Sequence, residues 1–420
     1  MKKRLIALGL VVSMALGLAA CSSSSSATPS SSQAQTEAPE VVEDGTQGVT
    51  DTEIIVANSA ATSGNYAGVG VPFISAIEGY FKMVNDAGGI DGRQITFIHN
   101  DDEFDPNKGK AYLQEYLEDD KVFAIVGHFG TPVVSATIED LKAAGVPSVY
   151  FATGISALYS DEATSNETGF NILPVQPIYV TEGQIMVARL YGTLGATETI
   201  GIIYTNDDAG QNMLAGAQKK AAELNITLVE AQVEAGAADV SAAVTTIKDA
   251  GVQGVIIGAI QATMPTIAKE MASQGMTVPA ITTYVNVAVT IAQQVSEDIA
   301  GHFDIYGNDW KDPSIAEDYA LFAEYVPDYA DNNDAMSGWV AAYTFCEGLR
   351  RLEGQDVTWT SYINALASDV IELPFGASVD FTSGKRMGVS AMQLKKIDTD
   401  AKAWTVADDF KSMDELVSGK

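Results

Sequence analysis

Two short loops carry the residues best suited to hold a small molecule. In Gly130-Thr131-Pro132 the proline can open a helix without wasting a donor, and the threonine before it can cap. The free amides of that first turn then point outward and make a cradle for an anion or a carbonyl oxygen. Phe151-Ala152-Thr153-Gly154-Ile155-Ser156 adds two hydroxyls and a pliable backbone, and Ser63-Gly64-Asn65-Tyr66 offers a third wall with an aromatic lid. Helix capping alone would also explain these residues.

Covalent chemistry has no comparable footing. The chain lacks His-Glu-x-x-His, Gly-x-Ser-x-Gly, a Walker loop and paired cysteines at metal spacing. His99, His128 and His302 are scattered, so no metal site is expected. Gly68-x-Gly70 lacks the third glycine of a dinucleotide fingerprint, so no cofactor is expected either. Cys346 lies among Trp339, Ala342, Tyr343, Phe345 and Leu349 at helical spacing over 339–351, as a small apolar core residue. With no nucleophile beside a base, a secreted α/β enzyme is the remote reading and a binding protein the main one.

The elements that must position these loops follow a βα rhythm. Apolar, β-branched runs at 54–57, 95–100 and 123–127 alternate with amphipathic stretches at 72–87, 106–119 and 132–144. After a Pro-bearing stretch at 173–177 the pattern restarts, with strands at 200–204, 227–231 and 255–260 and helices at 209–224, 239–250 and 262–274. Continuous apolar strands suit parallel sheets covered on both faces, so the fold class is α/β with two Rossmann-like lobes. Asp239 sits where a helix should start, Gly145, Gly251 and Gly275 where helices should end, and Gly92 serves a turn. Ligands of such sheets bind outside the carboxyl ends of the strands, where the two loops above fall.

Composition sets the compartment and excludes some partners. Lys2, Lys3 and Arg4 precede an apolar run at 5–18 and the small residues of Leu18-Ala19-Ala20-Cys21, a signal peptide over 1–20 with a lipidation site at Cys21. Without those three cations, 21 basic residues face 55 acidic ones, a side-chain charge near −34. That field excludes nucleic acid and a polybasic membrane grip, leaving the acyl chains at Cys21 as the membrane attachment. Residues 21–52, Ser-rich and then acidic, form a tether with too few apolar groups to fold.

Asp86-Ala87-Gly88-Gly89-Ile90-Asp91-Gly92-Arg93 resembles the Ala-Gly-Gly-Ile-x-Gly-Arg turn of the type I periplasmic solute-binding proteins that serve branched-chain amino acid ABC importers. Asp101-Asp102-Glu103-Phe104-Asp105-Pro106, Gly127-His128, Gly145-Val146-Pro147 and the segment from Pro374-Phe375-Gly376 to Val379-Asp380-Phe381-Thr382-Ser383-Gly384-Lys385-Arg386 fall in register with it. The resemblance implies two discontinuous lobes, 53–173 with 309–373 and 177–303 with 376–412, hinged at crossovers near 173–177, 302–308 and 373–381. It implies ligand capture by lobe closure, delivery to ABC permease membrane subunits, and a lipoprotein outside the cytoplasmic membrane; a lipoprotein feeding a membrane sensor is the alternative.

The same resemblance implies that Gly130, Thr131, Ala152 and Thr153 hold a ligand carboxylate, beside the wall that Ser63 and Tyr66 offer by their own residue types. Phe104 and Gly130 stand where the family has a first-lobe disulfide, and Phe104 becomes an apolar wall. Val69 and Ala209 replace family aromatics, and Gln176 stands where an acid would help hold an α-ammonium. Asp207, Asp208, Tyr284 and Asn286 of the second lobe are the expected substitutes. The ligand is then a branched-chain or other small apolar amino acid, or a related carboxylate or amide.

Overall fold

The computed structural model describes residues 45–161, 163, 169–295, 303–308, 319–376 and 378–419. The proposed signal peptide, Cys21, most of the tether and His302 lie outside them. Residues Asp44–Lys420 form one compact unit.

Its first part alternates β1 (Glu53–Ala60), α1 (Ala67–Asp86), β2 (Gln94–Asp101), α2 (Pro106–Glu118), β3 (Ala124–Phe129), α3 (Thr131–Ala144), β4 (Ser148–Ala152) and β5 (Ile172–Leu173). These strands make a parallel sheet in the order β2-β1-β3-β4-β5. All six residues of β3 are buried, as a sheet covered on both faces requires.

The second part runs α4 (Tyr179–Gly192), β6 (Thr199–Thr205), α5 (Asp208–Leu224), β7 (Thr227–Val233), α6 (Ser241–Asp249), β8 (Gly254–Gly258), α7 (Thr263–Ser273), β9 (Ala280–Thr282), α8 (Val289–Val295) and β10 (Phe303–Asn308). Its parallel strands repeat the first sheet's order, β7-β6-β8-β9-β10. The chain then returns to the first lobe with α9 (Tyr319–Tyr325), α10 (Asn333–Arg350), α11 (Trp359–Leu366) and the hairpin β11 (Ile371–Glu372) and β12 (Ser378–Val379). Finally β13 (Ala391–Asp398) and β14 (Ala403–Ser412) extend the second sheet antiparallel beyond β10, and α12 (Met413–Ser418) follows.

Two of the expected hinge positions are corrected. Residues 303–308 are a strand of the second sheet, pinned between β9 and β13 by backbone pairing, and not a crossover. Residues 373–381 belong to the first lobe, because Leu373, Phe375, Val379 and Phe381 are buried in its core with Phe73, Trp339 and Phe345. The third crossover follows near Val389, whose N–H donates to Val175 O at 2.8 Å and ties it to the first crossover.

Local signals explain most element ends. Gly145 closes α3 at φ 72°, and Gly251 and Gly275 take φ 66° and 73° after α6 and α7. Asp239 accepts from Ser241 N at 3.0 Å, two residues before the helix proper. Helix α1 begins at Ala67, five residues ahead of the expected start, with Pro72 inside it. Gly68 and Gly70 therefore sit on a helix and not in a phosphate loop.

Candidate ligand-binding site

Both sheets reverse strand order between their first and third strands in sequence, and the ends of those strands face each other across the lobes. Helix α1 and the loops after β2, β3 and β4 from one side, and the loops after β8 and β9 from the other, line a cavity of about 50 Å³, room for a few water molecules. Its apolar lining is Val69, Phe73, Phe104, Phe129, Ile260, Val285 and Val287. Its polar lining is Thr131, Gln176, Tyr179, Gln261, Tyr284, Asn333, Asp334 and Ser337, with Gly130 and Ala152 between.

In the first-lobe wall, Phe104 leans on Gly130. The ring stacks on Tyr66 with centroids 3.8 Å apart and an 18° tilt, and meets Phe129 edge-on at 6.3 Å. Phe104 sits at φ 66°, held by its N–H donating 2.9 Å to Asp102 Oδ1. Burial pushes the Asp102 carboxyl up to about 6. Gly130 takes φ 90°, and a Cβ there would lie 2.5 Å from Phe104 Cε2. An aromatic ring laid on a bare backbone thus occupies the two positions where the resemblance expected a disulfide.

Gly130, and not Thr131, is the N-cap of α3, a correction to the sequence reading. Thr131 is the first helical residue, and its hydroxyl pairs with that of Thr153 at 2.8 Å. The Tyr179 hydroxyl from the second lobe joins this pair, and burial raises it to about 12. Thr153 itself is fully buried behind Ala152. Next to it the lobes touch: Tyr179 N donates to Gly154 O at 2.9 Å, and Ser156 N donates to Asn212 Oδ1 at 2.7 Å.

In the second-lobe wall, Tyr284 is 1% exposed and stacks on Tyr179 at 5.9 Å. Its backbone N–H donates to Glu182 Oε1 at 2.9 Å, while Thr283 Oγ1 donates to Glu182 Oε2 at 2.7 Å. Burial pushes Glu182 up to about 8 despite those donors. Asn286, expected to face the ligand, does not line the cavity. Its Oδ1 accepts from Gln261 N at 2.7 Å and its Nδ2 donates to Ala259 O and Thr282 Oγ1, both at 2.8 Å, so its amide is spent inside its own lobe. It holds Gln261, which lines the cavity at φ 46°.

The polar wall that sequence reasoning missed is the first turn of α10. Asn332 caps it, accepting from Asp334 N at 2.8 Å and Ala335 N at 3.0 Å. Asp334 is half-buried, but its Oδ2 is out of solvent and without a hydrogen-bond partner, and burial pushes the carboxyl up to about 7. Ser337 reaches the Tyr150 hydroxyl, which Gln176 Nε2 also meets. Helix α10 is fixed there by close packing on α1: a Cβ at Gly338 would lie 2.0 Å from Phe73 O.

Other nominees stand apart. Ser63 is exposed at the start of a short helical turn, and Tyr66 lies behind Phe104 without lining the cavity. Asp208 is exposed at the start of α5, and Asp207 caps that helix, accepting from Gly210 N at 2.9 Å and Thr205 Oγ1 at 2.8 Å. Val69 and Gln176 line the cavity, whereas Ala209 is buried in a hydrophobic core and does not. His99 pairs with Asn58 and Thr62; His128 is buried in β3 against Thr137, and desolvation lowers it to about 4. Among the described residues no cluster of His, Cys, Asp and Glu could hold a metal, and no helix is long and apolar enough to cross a membrane. Arg93 of the glycine-rich turn donates to Thr50 O at 2.9 Å and Asp91 Oδ2 at 3.0 Å, so that motif is structural.

Two lobes of repeated topology around a shared cavity are the architecture of a solute-binding protein. The chain belongs to the periplasmic binding protein family, whose model matches residues 53–402. It is 26% identical over 276 residues to Leu/Ile/Val-binding protein homolog 1 of Brucella abortus (strain 2308), covering 62% of this chain and 68% of that one. Its fold is shared with a fatty acid ABC transporter substrate-binding protein from Thermomonospora curvata, at TM-score 0.75 and 20% identity over 91% of this chain and 97% of that one. A branched chain amino acid ABC transporter protein from Thermus thermophilus with bound valine matches at TM-score 0.74 and 15% identity, over 88% and 99% of the two chains.

Proposed function

We propose that this chain is the solute-capturing lipoprotein of an ABC importer, taking a branched-chain or other small apolar amino acid, or a related carboxylate or amide. The observation that carries the reading is the inter-lobe cavity, with apolar side chains on both faces and the first turn of α3 at one end. Phe104, Gly130, Thr131, Ala152 and Tyr284 line it, and Thr153 supports Thr131 from behind. A guest touching both lobes favours the closed arrangement through contacts the open one lacks, and permease subunits read the closed shape. The relatives named for leucine, isoleucine and valine support this ligand class. Export by the leader over 1–20 and anchoring through diacylated Cys21 complete the proposal.

A thermal-shift screen of amino acids, short amides and carboxylic acids tests it. A true ligand at a hundredfold excess over its Kd should stabilise the protein by about 2.7 kcal/mol. Thr131→Ala should weaken binding by about tenfold, as expected when a hydroxyl network at a ligand end is lost. No stabilisation by any compound would count against ligand capture, and unchanged affinity in the variant would mean the site lies elsewhere. Mass spectrometry of the N-terminal peptide reads the Cys21 acyl group directly.

A further inference from the structure

The cavity is lined by polar atoms that have no partner and can mostly only accept. Asp334 Oδ2, Gln176 Oε1, Gln261 Oε1 and the Tyr284 hydroxyl are all buried without a hydrogen bond. Gln176 is 6% exposed, Gln261 9% and Tyr284 1%, so solvent does not satisfy them. The three acceptors come from three different places: Asp334 from α10 of the first lobe, Gln176 from the first crossover, and Gln261 from the second lobe. Among the described residues no lysine, arginine or histidine lines the cavity, and Asp334 is the one carboxyl group that does.

We propose that the ligand carries a protonated amine, and that Asp334 is its charge partner, with Gln176 and Gln261 accepting the remaining N–H bonds. The proposal deepens the ligand-capture reading and rests on it. An ammonium group brings three donors and one positive charge and accepts nothing, which complements a wall of one carboxylate and two amide oxygens. A carboxylate without an amine would meet Asp334 as a like charge and leave buried acceptors unpaired. Because the acceptors belong to both lobes and the crossover, the amine gains all its bonds only when the lobes are together, which couples recognition to closure. The strained Gln261 backbone at φ 46° supports a role beyond packing, since such conformations persist where the surroundings impose them.

A pH signature follows. Among the described residues, the titratable groups nearby are the Tyr150 hydroxyl on β4, which feels the Asp334 charge, and the hydroxyls of Tyr179 on α4 and Tyr284, which line the same cavity, all raised by burial and neutral in the working range. Glu182 behind Tyr284 and Asp102 behind Phe104 titrate nearby but do not line the cavity. Burial pushes Asp334 up to about 7, and a bound ammonium must pull it down, so binding expels a proton in acid. Affinity should then fall roughly 30-fold between about pH 8 and about pH 5.5.

Isothermal titration of the full chain decides the matter with three matched sets. These are L-valine, L-leucine and L-phenylalanine; isobutylamine, isoamylamine and phenethylamine, which lack the carboxylate; and isovalerate, isocaproate and hydrocinnamate, which lack the amine. The expected result is that the tightest binder carries an amine and beats its matched acid by about tenfold or more. The amine set shows whether a plain amine suffices or an α-amino acid is needed. Asp334→Asn, nearly isosteric, should remove that preference and flatten the pH profile, while the wild-type profile gives a readout that needs no variant. An acid that binds as tightly as its amino acid, or an unchanged preference in Asp334→Asn, overturns the amine assignment and leaves ligand capture standing. Binding by none of the nine compounds, with no thermal shift from the wider screen, overturns both.

Discussion

Replacing Gly130 by alanine tests the wall that substitutes for a disulfide. Two separable penalties arise from one methyl group. The backbone at φ 90° is one that L residues rarely adopt, worth about 1–3 kcal/mol. The new Cβ would lie 2.5 Å from Phe104 Cε2 and 2.9 Å from Cδ2, and that ring cannot simply swing away because Tyr66 stacks on its face and Phe129 meets it edge-on. Overpacking of this kind adds about 1–3 kcal/mol, so Gly130→Ala should lose roughly 2–6 kcal/mol in all. Urea unfolding of Gly130→Ala, Phe104→Ala and the double variant separates the parts. Removing the ring relieves the clash but not the backbone strain, so the double variant should be more stable than the sum of the singles by about 1 kcal/mol or more. Additive losses, or a Gly130→Ala loss under about 0.5 kcal/mol, would falsify the ring-on-glycine account.

Three further expectations follow from buried groups. Glu182 is pushed up to about 8 in the fold from an ordinary 4.5, so its protonated form favours the native state. That contribution is present below about pH 4.5 and lost as pH rises toward 8, so Glu182→Gln should flatten part of the decline in urea midpoint between about pH 5.5 and 8.5. Equal pH slopes in the two proteins would contradict the assignment. Asn286→Ala strands Gln261 N and Ala259 O and should cost about 2–4 kcal/mol in thermal or urea unfolding; a loss below about 1 kcal/mol would mean the loop has other support. Cys346, fully buried and raised by desolvation to about 12, should resist iodoacetamide in the native protein and react only on unfolding, as peptide mapping would read.

Which parts of this protein a sequence can disclose depends on the range of the interactions that decide them. Repeated βα units, the parallel sheets and the helix-ending glycines follow from local periodicity and from φ preferences at single residues, and they stand in the structure where the pattern put them. The loop at 130–131 was legible for a similar reason, since any strand-to-helix turn of a doubly wound sheet exposes backbone at the sheet's carboxyl edge. Thr131's part there was not. A threonine before a proline reads as a cap, but the glycine's left-handed backbone takes the cap position and turns the hydroxyl toward Thr153. Asn286 reads as an exposed loop amide until β8 and β9 are brought together and use every one of its bonds.

The polar end of the cavity is the clearest case. The apolar repeat of α10 is visible only from Trp339 onward, so Asp334 and Ser337 read as loop, although Asn332 two residues before Asp334 carries the cap that extends the helix through them. Even with that cap recognised, no spacing rule brings residue 334 to residues 176 and 261, which are separated from it by whole lobes. Local propensity and pattern therefore determined the lobes and the sheet edges from which the site loops spring. Only the packing of α10 on α1 and the return of the chain between lobes decided which carboxyl group enters the cavity, because burial and charge pairing are set by contacts between distant segments.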